Sequence, residues 1–479
     1  MASESSPEDH GIPSAALVAL IDTLERSGLD PHALHVSRRG ADGQWATVFE
    51  RAWQPYSAEH PSLVYSVSKT FTSLAIGLLE AEGALSLDDS VGDLLHLPNP
   101  NGLTVRHLLT MNSGHSPEQI DALEFDVRRL LTEPTASVPG TRFAYNSDAT
   151  FALSCIVTGL TGERLTDYLR PRLLDPLGIG RRWMKPARGV EQGFSGFHLT
   201  VGDIARVSTL LADDGERGGE QVVPASYVAE LSQPWSDTSD TEEARAADSV
   251  NDWALGYGYQ VWRSSIGFRL DGAYGQFGIV VPDRGIVIAY QGSTLDTQST
   301  LRAFWSLIDA VSDVPLEPDE AAVAALDDRA SDLDSWNSRS TFAPAPDGEV
   351  DTSGWHLDDA DDGWRLTLPV GDTIAVGSGR WAHAAVAVAE TLDAGGPVVD
   401  SPPVEAGTHA IVAARGEQDD DGVLVHVVTT SSPHRLLLRR GADGSVRAAW
   451  HTVPLQGRTL AALSTPEWVG ERAEAGAGT

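Results

Sequence analysis

Two hydrophobic periods alternate along the chain, one of three to four residues and one of two, and their order sets out the elements. From Pro13 to Ser27, Leu17, Leu20, Ile21 and Leu24 share one helical face. His35–Arg38 and Ala46–Arg51 read as strands joined through Gly40-Ala41-Asp42-Gly43, a hairpin signal. Phe71, Leu74, Ala75, Leu78 and Leu79 then recur at helical spacing and predict an amphipathic helix from Ser66 to about Glu82. A short helix capped near Thr104 and ended at Gly114 follows, then a buried helix from Ala149 to Leu160. Thr200 with Asp203 forms the start signal of another helix. Gly256–Trp262 and Phe277–Tyr290 return to strand character, so helices packed against an antiparallel sheet are expected.

Beyond Asp309 the pattern changes. Pro-punctuated acidic sequence predicts a helical connector. From Trp355 onward, short alternating runs at Trp364–Leu368, Trp381–Val388, His409–Ala414, Val423–Val428, Arg435–Arg439 and Val446–Trp450 predict an all-β domain, with a small barrel as its simplest form. The fold class is therefore α+β with a C-terminal all-β domain. The expected division is 1–312, a linker at 313–350, a β-rich domain at 351–466 and a frayed tail at 467–479. The acidic run Ser236–Asp248 reads as a surface loop, with a lid as its functional reading.

Composition narrows the function. With 68 acidic against 34 basic residues, a formal charge of -34 repels nucleic acid and anionic membranes, so neither is expected as a partner. Cys155 is the only cysteine, which excludes an intrachain disulfide and a thiolate metal cluster. His107 and His115 lack a third ligand at useful spacing, so no metal and no cofactor are expected. Neither a signal-like start nor a run of membrane-spanning length is present, and a cytoplasmic location is the expectation. Oligomeric state is not legible.

The chemistry centres on Tyr65-Ser66-Val67-Ser68-Lys69. Residues three apart share a helix face, so Lys69 projects back over Ser66. A serine hydroxyl needs a base to attack, and a desolvated amine can be one. Lys69 and Lys185 are the only lysines in the chain; where arginine does nearly every other cationic job, a lysine here points to a need for a deprotonatable group. Tyr145 follows a Pro139-Gly140 turn and can reach a cleft from a loop.

Ser66-Val67-Ser68-Lys69, Leu103 to Gly114, Pro139 to Tyr145 and Leu173-Leu174-Asp175-Pro176-Leu177-Gly178-Ile179, in this order and spacing, resemble the serine β-lactamase and penicillin-binding-protein superfamily. The likeness is greatest to its class C β-lactamase, D-aminopeptidase and esterase branch, and covers about Pro13 to Asp309. It implies an antiparallel sheet flanked by helices with a helical subdomain over the cleft. It also implies that Ser66 forms an acyl-enzyme, that Lys69 assists its deprotonation, and that Tyr145 shuttles protons to the leaving group.

The chain departs from that pattern twice. The second motif often reads Tyr-x-Asn, whereas here it is Tyr145-Asn146-Ser147, so the substrate-facing group is either the Asn146 amide or the Ser147 hydroxyl. The third motif's Lys or His is missing from Leu270-Asp271-Gly272-Ala273-Tyr274-Gly275-Gln276. The resemblance matches its glycine to Gly272 and places the second oxyanion N–H at Ala273. Arg269 is a candidate replacement cation, and Asp271 would repel a substrate carboxylate. The expected activity is therefore hydrolysis of a neutral ester or amide of a small molecule or short peptide, with weak or absent β-lactamase activity. An acyltransferase using the same acyl-enzyme, or a binding protein on this scaffold, are the alternatives.

Overall fold

A computed structural model describes residues 6–241, 251–336, 344–369, 371–388 and 398–470. Parts of the expected acidic loop, linker and tail lie outside these described residues. The first sheet comprises β1 (Pro31–Arg39), β2 (Trp45–Ala52), β3 (Trp262–Arg263), β4 (Phe268–Gly272), β5 (Gln276–Val281) and β6 (Ile286–Gly292). Its order is β2-β1-β6-β5-β4-β3, antiparallel throughout. Such an order lets chain-distant segments close one sheet, and it brings β4 to the turn that carries Ser66.

Both faces of this sheet are covered, so its central strands are buried along nearly their whole length. On one face α1 (Ser14–Arg26) and α5 (Thr297–Ala310) pack Leu17, Ile21, Phe304 and Leu307 against Val36, Ile279 and Ile288. The other face carries α4 (Val201–Ala212) and a helical layer built on α2 (Ser68–Ala81) and α3 (Ser147–Thr161).

Helix α2 corrects an expectation. It begins at Ser68, two residues after Ser66, and every residue from Ser68 to Leu79 is buried, so it is an internal helix and not an amphipathic one. Its polar side has partners inside the protein: Thr70 Oγ1 donates to Gln260 O at 3.0 Å, Thr72 Oγ1 to Gly193 O at 2.8 Å, and Ser73 Oγ meets Tyr227 Oη at 2.9 Å. Pattern alone reads hydroxyls as solvent-facing. Here buried acceptors meet them.

The C-terminal region forms a nine-stranded sheet in which Glu349–Val350 and His356–Ala360 are the terminal strands. Among the described residues these two strands do not pair with each other. Trp364, Leu366, Ile374, Val376, Val425 and Leu438 form its own core. Between the sheets, Glu320–Ala330 is a helix whose Arg329 pairs with Asp22 on α1.

The two sheets meet through polar contacts that are themselves buried. Arg435 Nη2 lies 2.7 Å from Asp30 Oδ1 with both side chains fully buried. Burial pushes the Asp30 carboxyl up, and the Arg435 guanidinium with His32 more than offsets it, holding the group well below the usual carboxylate range. Removing one partner strands the other charge. Arg435→Met is therefore expected to destabilise the protein by about 3–5 kcal/mol in denaturant titration, whereas Arg26→Ala, which removes an exposed partner of Asp22, is expected to cost less than about 1 kcal/mol.

No helix among the described residues is long and apolar enough to cross a membrane.

Candidate active site

Ser66 sits in a single 3-10 turn, Tyr65–Val67, that feeds α2. The turn is entered through a tight backbone step: Tyr65 has φ of 47°, in the left-handed region that costs an ordinary residue roughly 1–2 kcal/mol. Its carbonyl is fixed from the other side by Ser68 Oγ, which donates to it at 2.6 Å. Gly272, at the end of β4, lies directly against this segment. A Cβ added there would stand 2.3 Å from Val64 O, so only glycine lets the strand approach.

Lys69 is buried and its Nζ is held by three oxygens: Ser66 Oγ at 3.0 Å, Ser147 Oγ at 3.2 Å and Phe194 O at 2.9 Å. Burial pushes its pKa down to about 7, against the opposing pull of the Asp148 and Asp271 carboxylates. Asp148 is also perturbed: burial raises it to about 6, while the Phe125 N–H, donating to its Oδ1 at 2.6 Å, lowers it. An amine poised near neutrality and touching a hydroxyl can accept that hydroxyl's proton.

The second motif divides its residues between two jobs. Tyr145 presents its ring face to Lys69, with Nζ 4.8 Å from the ring centroid, and stacks on Trp262 at 5.9 Å. Asn146 is fully buried and turned into the scaffold: its Oδ1 accepts from Ala149 N at 3.1 Å, capping α3, and its Nδ2 donates to Ser113 Oγ at 3.1 Å. Ser147, the first residue of α3, is the one that reaches Lys69. Accordingly, Asn146→Ala is expected to lower stability by about 0.5–2 kcal/mol in thermal melts, as a lost cap does, without removing the Lys69 contact.

At the third motif Arg269 and Asp271 occupy the same face of β4 and pair with each other, Nε to Oδ2 at 2.7 Å. Arg269 is fully buried, donates to Arg263 O at 2.7 Å and lies over the Trp253 ring at 4.5 Å. It does not replace the missing cation. Burial raises the Asp271 carboxyl, and Arg269 and Lys69 lower it. Ala273 follows Gly272 in a turn completed by Tyr274 and Gly275, with φ of 66° and 86°, and packs with Leu63, Tyr65 and Tyr274.

A cavity of about 810 Å³ opens over Ser66 and Ser147. Phe125 and Phe194, stacked at 4.4 Å, form one wall. Another wall comes from the C-terminal region, between Leu455 and Ala462. The sequence reading missed these groups. Phe194 stood in a glycine-rich stretch whose left-handed Gly193 and Gly196 were a usable signal; nothing local marks Leu455 to Ala462 as a cleft wall. Among the described residues no group of three or more His, Cys, Asp or Glu side chains is placed to hold a metal ion.

Comparison with known proteins agrees with this geometry. Residues 41–311 match the family model described as Beta-lactamase. Penicillin-binding protein 4 of Amycolatopsis lactamdurans is 26% identical over 328 residues, spanning 59% of this chain and 81% of that protein. A solved structure named as a β-lactamase, from Bacteroides dorei DSM 17855, superposes with a TM-score of 0.52 at 18% identity, over 62% of this chain and all but 1% of the other, 99% being covered. A family VIII carboxylesterase superposes with a TM-score of 0.48 at 16% identity, over 64% of this chain and 98% of that one. The family match extends over more than half of the chain and carries both Ser66 and Lys69, and the chain belongs to the Beta-lactamase family.

Proposed function

We propose that the protein is a serine hydrolase that forms an acyl-enzyme at Ser66 from an ester or amide of a small molecule or short peptide. The observation that carries this reading is the Lys69 amine 3.0 Å from Ser66 Oγ, with its pKa brought to about 7. In this scheme neutral Lys69 takes the Ser66 proton as Oγ attacks the carbonyl carbon. The resulting oxyanion is met by the N–H groups of Ser66 and Ala273. Collapse expels the alcohol or amine, which receives a proton relayed from Lys69 with Tyr145 beside it. Water then attacks the ester carbonyl, giving a proton to neutral Lys69, and the ammonium so formed returns that proton to Ser66 Oγ as the carboxylic acid departs. Incubation with a panel of acyl donors followed by intact-protein mass measurement tests the scheme. A mass increase equal to the acyl group, decaying on removal of donor, is expected; no adduct from any donor would refute it.

The cavity's charge refines the substrate. Arg188 and Arg458 line it, and among the described lining residues there is no Asp or Glu, in a chain where acids outnumber bases twofold. Arg188 donates to Glu124 O at 3.0 Å and Arg458 to Asp347 O at 2.8 Å, backbone acceptors that hold the guanidinium groups without neutralising them. The neutral substrate expected from the third motif alone gives way to an acyl chain ending in a carboxylate. p-Nitrophenyl adipate is expected to exceed p-nitrophenyl hexanoate by about tenfold in kcat/KM, the scale of one hydrogen bond to a charged group. The advantage should shrink as salt rises. With Arg269 engaged by Asp271, turnover of β-lactams is expected to be weak.

A further inference from the structure

The C-terminal region does more than wall the cavity: it holds the residues next to both expected oxyanion donors. Tyr65 immediately precedes Ser66, and Tyr274 immediately follows Ala273. Both are buried and both have left-handed φ, 47° and 66°. Each sends its phenol into the C-terminal region, Tyr65 Oη to His434 Nε2 at 2.5 Å and Tyr274 Oη to Val453 O at 2.5 Å. The three rings pack edge to face, with centroids 5.5 Å apart for Tyr65 and Tyr274, 5.8 Å for Tyr65 and His434, and 5.2 Å for Tyr274 and His434. His434 is set for its task by its other nitrogen. Nδ1–H donates to Thr452 O at 2.9 Å, which fixes the tautomer and leaves Nε2 as the acceptor for the Tyr65 hydroxyl.

We infer that His434 is a positioning residue for acyl transfer. It anchors Tyr65 in a backbone conformation that an unanchored tyrosine avoids, and the peptide between Tyr65 and Ser66 carries the Ser66 N–H. Rotation of that peptide on release of the anchor would turn the N–H from the oxyanion and shift Oγ from Lys69. The inference rests on the acyl-enzyme reading above. His434 touches neither Ser66 nor Lys69 by any hydrogen bond in the described residues, so its effect passes through Tyr65.

The test uses the full chain with Tyr65→Phe, His434→Phe and His434→Gln, read as kcat and KM on an activated p-nitrophenyl ester. Tyr65→Phe and His434→Phe are expected to lower kcat by about ten- to a hundredfold, the scale of a misaligned reacting group, with KM within about twofold of wild type. His434→Gln, which keeps an acceptor, is expected to recover most of the loss. The double variant Tyr65→Phe/His434→Phe should be no worse than either single one, since the two act as a unit. Folded Tyr65→Phe with wild-type kcat would overturn the inference, as would a loss that His434→Gln does not relieve. Should His434→Phe fail to fold, Tyr65→Phe decides the matter, because it removes a single oxygen. A wild-type protein that never acylates would instead refute the hydrolase reading.

Discussion

Replacing Ser66 with alanine is expected to lower kcat by about 10⁴-fold or more on any ester the enzyme turns over, and to abolish labelling by a fluorophosphonate probe. Lys69 contacts two hydroxyls that line the cavity, Ser66 Oγ at 3.0 Å and Ser147 Oγ at 3.2 Å, and the acyl-enzyme reading takes Ser66 as the nucleophile. The folded protein should tolerate the change. Lys69 keeps Phe194 O and Ser147 Oγ as acceptors, and the turn is held by Val64 N–H donating to Phe197 O at 3.0 Å. An unchanged melting temperature with lost labelling is the expected pair of results. Labelling that persists in Ser66→Ala would move the nucleophile elsewhere.

The second large effect belongs to Lys69. Its amine must be neutral to accept a proton, and burial brings its pKa down to about 7. The neutral fraction grows as pH rises, so kcat/KM is expected to climb about tenfold per unit below pH 7 and to level off above pH 8. Arginine at this position cannot give up its proton. Lys69→Arg is expected to lower kcat by about 10²–10⁴-fold and to remove the rise near pH 7. A flat wild-type profile between pH 6 and 9 would mean that another group takes the Ser66 proton. Asp148, raised to about 6, adds a second influence: its protonation in acid removes a charge that favours the ammonium.

Much of the scaffold and the centre of the site were legible because their signals are local. Ser66 and Lys69 are three residues apart, a spacing that turns hydroxyl and amine to the same side, where they meet at 3.0 Å. The Gly40 to Gly43 hairpin, the Thr200 cap and the C-terminal strands likewise follow from neighbouring residues. Legibility failed where the decision was made at a distance. Asn146 and Ser147 are adjacent polar residues, and only the start of α3 determines which one caps and which one faces Lys69. Arg269 looked available because the ring that covers it, Trp253, and its acceptor Arg263 O come from other segments. Tyr65 gave no sign of a left-handed backbone, since that conformation is upheld by His434, 369 residues later. The polar side of α2 was misread for the same reason: its acceptors at Gly193, Tyr227 and Gln260 are remote in sequence.

The Asp30–Arg435 pair makes each sheet the guardian of a charge carried by the other, so neither position can be changed alone without stranding its counterpart. Installing matched aliphatic side chains at both positions offers a way to retain the junction while sparing it two desolvated charges.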